Sequence, residues 1–110
     1  MERLKNNRHF LSAFGNLSRK QCVLLIENIT QEQAIIISDI AANVLAGTLS
    51  LSTQNKERLS KHKDFIRCLG SSNNTHIAKR RCITKHPKSV LLLIEITKDK
   101  VLRLARASEV

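Results

Sequence analysis

Four side chains of metal-binding chemistry stand at suggestive intervals: Cys68, His76, Cys82 and His86, with seven, five and three residues between them. The intervals are those of CCCH zinc fingers with histidine in second place, and a zinc tetrahedron accepts two thiolates and two imidazoles. Two features speak against a zinc centre. Cys68 belongs to a well-patterned helical stripe, and the aromatics with which such fingers stack RNA are missing, since the chain has only Phe10, Phe14 and Phe65 and no Trp or Tyr. The plainer reading is a helix-face cysteine, an exposed loop histidine and an ordinary second cysteine. No metal is assigned and no cofactor is expected.

Catalytic chemistry has less support. The chain lacks a glycine-rich phosphate loop, paired carboxylates in a polar setting and a nucleophile elbow. Cys22 lies on the apolar stripe Cys22, Leu25, Ile26, Ile29 and reads as core rather than nucleophile. His9 and His62 read as surface or core-edge groups. The expectation is a protein that is not an enzyme and has no small-molecule substrate.

Cations carry the strongest signal. Lys56, Lys63 and Arg67 recur at seven and four residues and share a helix face, expected to lie away from the stripe Leu59, Ile66, Leu69. Arg58 and Lys61 widen that face. Lys79, Arg80 and Arg81, then Lys85 and Lys88, extend the positive surface into the next segment. Phosphate binding needs such a row, because each neutralised phosphate releases a counterion. With about five to eight cations engaged on duplex DNA, log K falls with log salt at a slope of roughly −5 to −7. No recognised motif reads bases, and aromatics are too few for stacking single strands. The candidate nucleic-acid-binding residues are therefore Lys56, Arg58, Lys61, Lys63, Arg67, Lys79, Arg80 and Arg81. The bland alternatives are a solvated helix face, or a surface for an acidic protein; Lys79-Arg80-Arg81 also fits a short nuclear import signal.

Helices must position these residues. Ser18 with Gln21, and Thr30 with Gln33, have capping-box spacing, and Ser52 offers a third cap. Gly15, Gly47 and Gly70 each follow an apolar pattern of helical period, where a positive φ would suit glycine. The pattern predicts an all-α bundle of four to five helices at about 3–14, 18–28, 31–46 and 53–69, with a fifth over 89–107, where a hairpin is the alternative but Leu, Ala, Arg and Lys around 100–107 favour helix. Residues 71–88 read as a basic loop holding a short helix from Thr75 to Lys85, which His86-Pro87 breaks. At 110 residues without internal repeat or low-complexity tract, the chain is read as one helical domain over 1–110, with 89–110 its least defined segment.

Charge is segregated along the chain. Residues 21–50 hold no Lys or Arg and three acids, whereas 51–88 hold ten Lys/Arg against two acids, within a net charge of +10. Solvated surfaces usually interleave their signs, so this layout speaks for an acidic partner. Three scattered cysteines suit a reducing compartment. The polar stretch 1–8 lacks a signal-peptide core, and the run Val90 to Ile94 is too short to span a bilayer. A nuclear or cytoplasmic protein is expected, with no membrane partner.

The succession Ile40-Ala-Ala-Asn43-Val44-Leu45-x-Gly47, Leu51-Ser52, and Lys56-x-x-Leu59-x-Lys61-His62-Lys63-x-x-Ile66-Arg67-x-Leu69 resembles a small late-type reading frame of Polinton (Maverick) transposons and adintoviruses. The likeness covers a little under half of the chain. Some members of that group are compared with adenovirus core peptides, and a lysine-rich stretch follows the segment, a place that Lys79 to Lys88 would take. The group's tail contains glycine, whereas Leu91 to Val110 has none. The resemblance implies a virion-associated protein of a DNA element. Together with the charge pattern, it leads to the expectation of a non-enzymatic protein that packages or organises duplex DNA. A second reading is a protein-interaction module, self-associating, capsid-lining or adaptor, because helix 31–46 is apolar nearly all round its first turns and needs covering.

Overall fold

Hydroxyl side chains start four of the helices. In the computed structural model, which describes residues 8–107 and the side chains of 8–103, Ser18 accepts from the Gln21 amide and the Gln21 side chain accepts in return from the Ser18 amide. Thr30 and Gln33 form the same reciprocal box. Ser52 and Thr75 cap singly, accepting from the amides of Asn55 and Ala78. Each cap satisfies an amide that the first helical turn leaves without a partner.

Seven helices result among the described residues, more than the four to five expected: α1 Arg8–Ala13, α2 Arg19–Glu27, α3 Gln31–Ala46, α4 Thr53–Ser60, α5 Lys63–Gly70, α6 His76–Lys85 and α7 Pro87–Ala107. The described residues contain no strand, so the last segment is helix and not hairpin. The break expected at His86-Pro87 is present: α6 ends at Lys85 with His86 as its cap, and a new helix starts at Pro87. Pro87 occupies the first position of α7, where its missing N–H costs nothing. The part of predicted helix 3–14 before Arg8 lies outside the described residues, as do residues 108–110.

The predicted helix 53–69 is broken at Lys61-His62. In one straight helix Leu59 and Phe65 would sit about 120° apart, and both could not face one core. With the break, Leu59, Phe65, Ile66 and Leu69 are all buried. His62 leaves helical geometry at φ −117°, and its Nδ1 lies 2.8 Å from the Ser89 hydroxyl, tying the bend to the start of α7.

Helix α3 is the centre. Ala34, Ile36, Ile37, Ile40 and Ala41 are buried beneath α5, α6 and α7, and α7 also covers α1 and α2. The chain thus covers most of this apolar helix itself, leaving Leu45 at the surface, half-exposed. Gly47 ends α3 with φ 77°, the Thr48 amide donating to the Asn43 carbonyl and the Gly47 amide to that of Val44. This is the Schellman arrangement, in which the left-handed residue costs glycine no Cβ clash. The other two glycines correct the expectation, since no other described glycine has positive φ. Gly70 does mark the end of its helix, as the last residue of α5, and there an added Cβ would fall 3.2 Å from the Ala42 Cα and 2.6 Å from the Leu45 Cδ1. Its service is close approach of α5 to α3.

Candidate nucleic-acid interface

Two of the predicted cations share α5, one turn apart, and a third comes from α4. Lys56, Lys63 and Arg67 all line one surface cleft of about 360 Å³ between α4, α5 and the C-terminal end of α3. Val44, Leu45, Leu49, Leu51, Leu59 and Ile66 line the same cleft. The expectation that the cations face away from the Leu59–Ile66 stripe is corrected: stripe and cations meet in one depression. The bend at His62 and the long aliphatic stems of Lys and Arg, which lie along apolar walls while their heads stay in water, permit this. Among the described residues no carboxylate pairs with Lys56, Lys63 or Arg67, and all three are exposed.

Arg80 and Arg81 sit elsewhere. They line a second cleft, of about 350 Å³, with Glu27, Gln31, Ile77 and Thr84. Gln31 opens α3 and Leu45 stands near its end, so the two clefts lie roughly 20 Å apart along that helix. The Arg80 Nε donates to the Ile29 carbonyl at 3.0 Å, which joins α6 to the turn between α2 and α3. Arg58 turns instead to α7, with its Nη2 3.4 Å from Glu95. Both partners are well exposed, so the pair contributes little stability. Lys61 stands exposed at the bend and Lys79 is half-buried on α6. Of the eight predicted residues, the structure gathers three at one cleft and two at another.

Part of the apolar wall of the first cleft was missed by sequence reasoning. Residues 48–51 fall between the predicted helices 31–46 and 53–69, yet Leu49 and Leu51 are buried, at 5% and 9% exposure. Their alternation with Ser50 was the available signal, for it turns both leucines to one side of an extended chain.

The zinc-like set does not converge. Cys68 on α5 and Cys82 on α6 are neighbours that interact electrostatically. His76 opens α6 and His86 caps its far end, about 15 Å away along the axis. The His86 ring packs edge-on against Phe65, with centroids 5.9 Å apart. No group of three or more potential ligands assembles among the described residues. Burial, then the neighbouring Cys68, push the Cys82 thiol up to about 12, which opposes the thiolate that metal binding or nucleophilic attack would need. Cys22 is buried in the core, as its stripe predicted.

No helix among the described residues is long and apolar enough to cross a membrane. Comparison of the chain with family models, curated proteins and solved structures finds no match.

Proposed function

We propose that this chain is a non-enzymatic, basic helical protein that holds nucleic acid, duplex DNA foremost, by neutralising phosphates, and that it organises DNA within a virus-like particle. The gathering of Lys56, Lys63 and Arg67 on one face, exposed and without carboxylate partners among the described residues, carries this reading. Arg80 and Arg81 add a second contact. The net charge of +10 supports it, and the likeness to Polinton and adintovirus late-type frames supplies the particle. Such a protein works in the nucleus, the cytoplasm or the virion.

A fluorescence-polarisation titration with labelled duplex at two salt concentrations tests the proposal. Five cations at the two clefts set a slope of log K on log salt of roughly −4 to −5. Reversing Lys63→Glu and Arg67→Glu together weakens binding about equally across duplex sequences. Unchanged affinity in that variant rejects the proposal.

The half-exposed Leu45, beside a cleft lined by other aliphatic side chains, favours a second reading, a self-associating or adaptor module. Light scattering after size exclusion separates them: a mass that rises with concentration supports self-association, and a constant monomer opposes it.

A further inference from the structure

The first cleft is more than a set of phosphate contacts. Duplex DNA presents a charged backbone, which leaves an aliphatic floor unused. Six apolar side chains line that depression, and Leu45 at its lip is 50% exposed. No aromatic ring lines it, so a nucleobase would find no stacking platform there. An alkyl chain would, because each methylene moved from water onto such a surface is favourable.

We infer that this cleft binds a monomeric, single-chain amphiphile with a phosphate head, an alkyl or acyl phosphate. The head fits the rim. A phosphate monoester carries about −1.5 to −2 charges and three acceptor oxygens, matching the three cations Lys56, Lys63 and Arg67. Arg67 offers a planar fork and the lysines point charges. Carboxylates, which would repel such a head, are absent from the lining. The volume, about 360 Å³, lies at the low end of the roughly 300–1,000 Å³ usual for small-ligand sites and suits one chain rather than a two-chain lipid. The second cleft offers no equivalent, since Glu27 shares it with Arg80 and Arg81. The amphiphile uses the cations assigned above to DNA, so the two ligands exclude one another at this face. Its binding does not depend on DNA binding.

The test is isothermal titration of the full chain, without DNA, with decyl phosphate below its micelle concentration. Inorganic phosphate and decanol serve as head-only and tail-only probes. Decyl phosphate is expected to bind one per chain, at least tenfold tighter than either probe, and to shift the methyl NMR signals of Leu45 and Leu59. Lys63→Gln with Arg67→Gln, and separately Leu45→Glu, each weaken it tenfold or more while helical circular dichroism is retained, all three positions being exposed. Equal affinity for inorganic phosphate would make the cleft a bare phosphate contact and overturn the inference. Equal affinity for decanol would make it an apolar docking face and overturn it too, as would full affinity in both variants.

Discussion

The two clefts at opposite ends of α3 carry the same kind of cation and spend it differently. At the C-terminal end, Lys56, Lys63 and Arg67 stand in water around an aliphatic depression. At the N-terminal end, Arg80 donates to the Ile29 carbonyl, and Glu27 lies in the cleft with Arg80 and Arg81. A guanidinium that donates within its own fold keeps its charge but offers fewer hydrogens to a ligand, and a neighbouring carboxylate weakens the local potential. Positive charge in a sequence therefore does not translate one-to-one into binding surface. The first cleft leaves its three cations exposed and without carboxylate partners among the described residues, whereas the second is partly a fastening between α6 and the α2–α3 turn.

Affinity for duplex is the sharpest test of that difference. The Lys63→Glu, Arg67→Glu variant is expected to lose roughly a hundredfold and to flatten the salt slope by about two units, whereas Arg80→Glu with Arg81→Glu loses about tenfold. Equal losses in paired polarisation titrations would erase the distinction. A smaller effect concerns the wall of the first cleft, which exists because Gly70 lets α5 approach α3. Gly70→Ala is expected to lower stability in urea by about 1–2 kcal/mol, overpacking outweighing the gain in helix propensity; a neutral or stabilising result would show that Ala42 and Leu45 yield easily. The fastening role of Arg80 is next. Arg80→Ala should cost about 1 kcal/mol by losing its bond to Ile29, whereas Lys63→Ala stays within about 0.5 kcal/mol, and the reverse order would exchange the roles of the two regions.

A further effect is a slope in alkali. Cys82 is raised from an ordinary 9.0 to about 12 in the fold, so the folded protein holds that proton more tightly than the unfolded chain. Its contribution is complete below pH 9 and is lost as pH climbs towards 12. Urea midpoints measured from pH 8 to 10.5 should fall more in the parent chain than in Cys82→Ser, and matching profiles would refute the assignment.

Local chemistry was legible in the sequence. The Ser18, Thr30 and Ser52 caps, the Gly47 stop, the α3 boundaries and the all-helical class follow from hydrogen bonds and steric limits that operate within about six residues. Charge segregation was equally plain, since it is a property of order along the chain. The break at Lys61-His62, the splitting of the eight candidate cations, the burial of Leu49 and Leu51, and the task of Gly70 were decided by tertiary packing. Periodicity reports which residues share a face of a straight helix. Whether the helix stays straight, and what then stands opposite that face, depends on partners far away in sequence: Ser89 holds the bend, Glu95 turns Arg58 aside, and the Ile29 carbonyl takes Arg80.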